Sequence, residues 1–300
     1  MPYSHKTSEY RDIKNEFDEA LLWIVNQQKV KIADTSRLNK YRGDIDLITK
    51  SFHKKEIRKL LEQGMESDMV SAIFEARQII DIWEGLKDYP YDQNLSGRLT
   101  RLVKGPHKTT EEKLDSRFAR DFGYELWLAS RFALGKYTIK FEPESDVCVL
   151  TPERLLLQCK RPEGKTDASL HRNLKKAFRQ LEDNYASKAE RGFVAVSINK
   201  IVRPDERLLY AKNMEGLKAT LIKHLKVFAD LTLHWWSKAS SDNRTLGVIF
   251  SVELPCYIKD IEQLTVARQI LFATVDTQIE RDSAYFYRIT GDLKKSIEGI

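Results

Sequence analysis

The chain has 300 residues, 42% of them hydrophobic and 31% charged, with 13 Gly, 8 Pro and 3 Cys. That composition excludes collagen-like, low-complexity and wholly disordered classes, and a chain of this length buries about 75% of its unfolded surface without needing staples. Lys and Arg number 50 against 44 Asp and Glu, a formal charge of +6, which permits a polyanionic partner without establishing one.

The first 112 residues read as a helical N-terminal domain. Ile13, Phe17, Ala20, Leu21 and Ile24 recur at helical spacing and form one apolar face. Ile57, Leu60 and Leu61, then Ile73, Ala76, Ile79, Ile80 and Trp83, repeat the pattern. The longest apolar run, Ala20 to Val25, is far short of the ~18 residues of a membrane span. The polar first twenty residues carry no signal-peptide pattern. The chain therefore reads as soluble and cytoplasmic, with no membrane partner. Cys148, Cys159 and Cys256 lie far apart with no C-x-x-C spacing, which points to buried, reduced thiols rather than a zinc ribbon or a disulfide framework.

Residues 113–300 read as a second domain. A helix runs from Leu114 to Leu134 and is closed by Gly135. Strand-like runs follow at Tyr137–Phe141, Asp146–Leu150 and Leu155–Lys160, too close together for crossover helices, so they read as antiparallel hairpins. A helix from Ser169 to Ser187, a β-rich run at Gly192–Val202 and a helical region over 205–238 come next. Further strands are expected at Thr245–Val252 and Ala284–Ile289. The fold class is mixed α/β (α+β): a mixed sheet flanked by helices, beside the helical N-terminal domain.

The chemistry concentrates around the hairpin. In an extended Leu155–Lys160, Gln158 and Lys160 share one face while Leu155, Leu157 and Cys159 pack on the other. A Lys at the end of an apolar strand is costly unless an anion or a carboxylate faces it. Asp146 opens the preceding strand and the turn brings it beside Gln158 and Lys160. Glu125 lies on the preceding helix among core-facing residues. Two carboxylates, an amide oxygen and a Lys make a site for a hard cation such as Mg²⁺ or Mn²⁺, with Glu125, Asp146 and Gln158 as ligands.

At these residues the sequence resembles the PD-(D/E)xK nuclease superfamily, the restriction-endonuclease-like fold. The resemblance covers about 112–202 and implies a magnesium-dependent nuclease, with DNA favoured over RNA. It assigns catalytic roles to Glu125, Asp146, Gln158 and Lys160. Ser145-Asp146 stands for the family's Pro-Asp, and Gln158 takes its acidic position, so the site has one negative charge fewer unless Glu142 or Glu144 supplies it. Gln180, on the following helix, matches a Gln that exonuclease-like members carry. Between 154 and 179 there are eight cations and two acids, an excess equal to that of the whole chain. Phosphate contact is therefore expected from Arg161, Lys165, Arg172, Lys175, Lys176, Arg179 and Gln180. The alternative is a catalytically inactive protein of this fold that binds nucleic acid or serves as an assembly partner. The N-terminal helices are candidates for dimerisation or for binding a protein. Trp235-Trp236 reads as buried helix-end packing rather than a base-stacking pair. Gly164-Lys165-Thr166 is a chance echo of a P-loop, since the first required Gly is Cys159.

Overall fold

A computed structural model describes residues 10–53, 57–108, 111–112, 116, 118–143, 145–152, 154–162, 167–202, 208–237, 242–261, 263–274 and 280–298. Five helices come first: α1 (Tyr10–Asn26), α2 (Arg37–His53), α3 (Ile57–Glu62), α4 (Glu66–Leu86) and α5 (Gln93–Leu102). The apolar stripe of α1 is buried at Ile13, Phe17, Ala20, Leu21 and Ile24, as the 3.6-residue period requires. The Asp92 side chain caps α5, accepting from the Leu95 backbone N–H at 2.8 Å, and this fixes where the helix begins.

Next come α6 (Phe118–Leu134), β1 (Thr138–Lys140), β2 (Val147–Leu150), β3 (Leu155–Lys160), α7 (Asp167–Asp183) and β4 (Arg191–Ser197). The remainder is α8 (Asn199–Val202), β5 (Leu209–Ala211), α9 (Met214–Trp236), β6 (Thr245–Ile258), β7 (Gln263–Thr274) and α10 (Glu280–Glu298). The seven described strands form one mixed sheet. β1, β2 and β3 pair antiparallel, and β4 joins β3 in parallel through the crossover helix α7. β6 pairs with β4 and β5 in parallel and with β7 antiparallel.

Each sheet face has its own apolar layer. Val147, Val149, Leu155, Leu157 and Cys159 pack with α6, α10 and α1–α5 in one continuous core. Cys148, Leu156, Val194 and Phe250 pack with α7 and α9 on the other face. The α4–α6 contact is close: a methyl group added at Gly85 would stand 2.4 Å from the Ser130 carbonyl oxygen, and one at Gly123 would meet Gln78 Oε1 at 2.6 Å. Glycine at these positions lets α6 settle against α4, and α6 carries Glu125. All three cysteines are buried thiols, as the spacing suggested. Trp236 is buried and its indole N–H donates to the Ala229 carbonyl at 3.3 Å, while Trp235 is partly buried against His171.

Two readings of the C-terminal third need correction, and the first is the helical region expected over 205–238, which holds the strand β5 before α9 begins at Met214. Ala284–Ile289 is not a strand but part of α10. Its Tyr and Phe favour strands, yet Tyr285, Phe286, Ile289 and Leu293 are buried at spacings that only a helix puts on one face. The strand in that region is β7, where the charged Arg268 interrupts the apolar pattern. Buried Glu253 forms an ion pair with Arg268, Oε1 to Nε at 3.0 Å, and Asp81 pairs with the same guanidinium. Among the described residues, no helix is long and apolar enough to cross a membrane.

Candidate active site at the end of β3

A cleft of about 570 Å³ opens where β3 ends, between α6 and α7. Glu125, Asp146, Cys159, Lys160 and Arg161 line it, together with Ser169, Arg172 and Asn173 from α7. Helix α6 and the β2–β3 hairpin thus deliver both carboxylates and Lys160 to one cavity. Pairing of Val147 with Leu157 puts Asp146, one residue before β2, opposite Gln158. Asp146 Oδ2 accepts from Gln158 Nε2 and from the Cys159 backbone N–H, both at 2.6 Å. These two donors set the orientation of the carboxylate. Gln158 is buried and does not line the cleft; its amide acts here as a donor to Asp146.

Glu125 is held by a residue that no sequence pattern marks. Arg98, on α5, donates from Nη1 to Glu125 Oε2 at 2.5 Å. Its Nη2 also donates to the carbonyls of Glu142 at 3.0 Å and Ser145 at 3.1 Å. One guanidinium therefore ties α6 to the loop that presents Asp146. Its partners lie 27 to 47 residues away on other elements, beyond the reach of any local motif.

The electrostatics suit a cation. Burial and then the neighbouring Asp146 charge push the Glu125 carboxyl up to about 8, against the pull of Arg98 and Lys160. Burial also raises Asp146, opposed by Lys160, by the Cys159 N–H and by Arg98. Burial pushes the Cys159 thiol well up, so it is a packing group rather than a nucleophile. Two buried carboxylates, the charge of Asp146 raising Glu125, fit a divalent ion with oxygen ligands, Mg²⁺ or Mn²⁺, and Glu125 and Asp146 are the residues that would hold it.

Other expected contributors fall elsewhere. The carboxylate of Glu142 pairs with Arg154, which also pairs with Glu190, so Glu142 does not replace the missing acid. Arg161 lines the cleft but pairs with Asp121 at 3.1 Å. Arg172 lines the cleft from α7, and Lys175, Lys176 and Arg179 are exposed along the same helix. No described carboxylate pairs with any of these four cations. Gln180 is half-buried and its Oε1 has no hydrogen-bond partner among the described residues. Glu144 and Lys165 lie outside the described residues.

No family model, curated protein or solved structure matches the chain.

Proposed function

We propose that the chain is a metal-dependent nuclease of the PD-(D/E)xK kind, hydrolysing phosphodiester bonds, with DNA as the preferred substrate by family resemblance. The observation that carries this reading is that Glu125, Asp146 and Lys160 line one cleft, beside a helix whose Arg172, Lys175, Lys176 and Arg179 pair with no described carboxylate. The order α6-β1-β2-β3-α7-β4, antiparallel through β3 and then parallel, supports the restriction-endonuclease-like fold.

A bound Mg²⁺ or Mn²⁺ would supply an activated water and neutralise charge on the phosphate. The remaining work belongs to the protein. Gln158 and the Cys159 N–H orient Asp146, and Arg98 orients Glu125. Lys160 faces both carboxylates and steadies the attacking oxygen or the charge that develops on the phosphate. Arg172, Lys175, Lys176 and Arg179 hold the backbone of the substrate.

Plasmid and oligonucleotide cleavage with Mg²⁺ or Mn²⁺ tests the reading. Asp146→Ala and Lys160→Ala should each lower the rate by about 10²-fold or more, and Lys160→Ala should do so with a melting temperature close to that of the wild type. Cutting that survives both changes removes the site assignment. A second reading, a non-cutting nucleic-acid binder, is favoured by the neutral amide at Gln158. Salt-sensitive binding with no cleavage under any divalent ion would select it.

A further inference from the structure

A second cleft, of about 430 Å³, adjoins the first. It is lined by Arg101, Lys104, Gly105, Ser116, Phe118 and Ala119. Phe118 lines both clefts, and 52% of its surface is open to solvent. Phe122, one helical turn further along the same face of α6, lines the first cleft and carries the Arg101 guanidinium 4.9 Å above its ring. Arg101 and Lys104 are exposed, and no described carboxylate pairs with either. The turn that carries Lys104 lies directly on α6. Gly105 there has φ +106, and a Cβ at that position would stand 2.8 Å from the Ala119 Cβ.

The rim between the clefts thus presents an open aromatic ring, a second ring capped by the Arg101 guanidinium, and Lys104, and neither cation pairs with a described carboxylate. Flat apolar faces interleaved with positive charge are what an unpaired nucleotide strand needs, because each base offers a π-face and each phosphate a charge. A duplex hides its base faces and has no use for such a ring. An acidic peptide would use the cations but would leave the rings unoccupied.

We propose that this second cleft binds the nucleotides flanking the scissile phosphate of a single strand. Phe118 stacks on a base at the lip of the active site, and Arg101 and Lys104 take the backbone beyond it. The proposal rests on the nuclease reading of the first cleft only for the identity of the scissile phosphate.

The test is fluorescence anisotropy with a short labelled single-stranded oligodeoxynucleotide and the matching duplex, in chelator so that nothing is cut, alongside cleavage in Mg²⁺. Phe118→Ala should weaken single-strand binding about 5- to 100-fold and Phe118→Trp should retain it. Duplex binding should change little in either. The Arg101→Gln, Lys104→Gln double variant should make the salt slope shallower by about 1.4, roughly 0.7 for each phosphate that is no longer neutralised. If the wild type binds but never cuts, and Phe118→Ala weakens that binding, the nuclease reading falls and this site stands. If the wild type cuts and Phe118→Ala binds single strands unchanged, this site alone is overturned. A wild type with no affinity for either oligonucleotide at low salt overturns both.

Discussion

Glu125 and Asp146 are like charges held together where little water remains to separate them, and that has a cost the metal-free protein must carry. Glu125 is raised from its ordinary value near 4.5 to about 8. Between those two values the folded state keeps a proton that the unfolded chain releases. Stability of the metal-free protein should therefore fall as pH rises from about 4.5 to 8. Melting temperatures measured in chelator across this window should decline for the wild type and flatten for Glu125→Gln. Equal slopes in the two proteins would show that the carboxylate is not perturbed. Gln158 supplies a second test. Its amide donates to Asp146 at 2.6 Å, so Gln158→Glu replaces a donor with a like charge. At pH 8 in chelator the variant should lose about 1.5–3 kcal/mol, the worth of a hydrogen bond to a charged group. It should regain more than the wild type when Mg²⁺ or Mn²⁺ is added, because the ion offsets the repulsion between the new carboxylate and Asp146. Denaturant titrations with and without metal read both changes.

At the scale of elements, α6 is the piece on which the others converge. Near its start, Arg120 pairs with Glu75 of α4 through Nε at 2.5 Å and with Glu112 through Nη1 at 2.8 Å. Arg37 of α2 completes the buried set, with Nη1 donating to Glu75 at 2.8 Å and Nη2 to the Leu102 carbonyl at 2.8 Å. Toward its end, Arg131 donates to the Asp81 carbonyl of α4 at 2.6 Å. Burial alone would raise the Glu75 carboxyl, but Arg37 and Arg120 hold it below the usual range. Glu75→Gln leaves the buried Arg37 without its counter-charge and Arg120 with Glu112 alone, and should cost about 3–5 kcal/mol. The sign with pH is opposite to that at Glu125: this contribution is present above the unfolded carboxylate value and is lost as pH falls through the depressed one. Acid titration of wild type against Glu75→Gln checks both the size and the direction. The hairpin and α7 could be read from sequence because their signals are local: alternation, turn residues and a 3.6-residue face. Asp146, Gln158 and Lys160 share one face for that same reason. Arg98, β7 and the helical state of 284–289 depend instead on distant partners. Arg98 needs α6, Arg268 in β7 needs Glu253 and Asp81, and the aromatics of α10 need the sheet face they cover.

For the whole molecule, the boundary read near residue 112 marks a change in sequence character, while the apolar layer runs on without a break. Ile13, Ile45, Ile73 and Leu99 belong to the same core as Leu126, Leu157 and Phe286. Arg98 ties the helical region to Glu125, which lines the cleft at the end of β3. The full chain should therefore melt in one cooperative transition, with calorimetric and van't Hoff enthalpies in agreement. Residues 1–112 expressed alone should give no cooperative melt. Two separable transitions in the full chain would overturn that expectation. The charge of the whole molecule also divides unevenly. Arg154 and Arg161 are paired with acids, whereas no described carboxylate pairs with Arg172, Lys175, Lys176 and Arg179 on α7 or with Arg101 and Lys104 at the rim.

The Tyr10 hydroxyl ties the first described helix to the last described strand: it accepts from the Leu264 backbone N–H at 2.7 Å and lies 3.4 Å from the same residue's carbonyl oxygen. These partners are 254 residues apart. A ribosome adds roughly 5–20 residues per second, so Tyr10 emerges on the order of ten to fifty seconds before its partner does. Until the end of that interval α4 lacks β7, a strand against which it packs in the finished fold. The nascent chain should therefore expose apolar surface until β7 has been made, and holding chaperones should bind it during that interval.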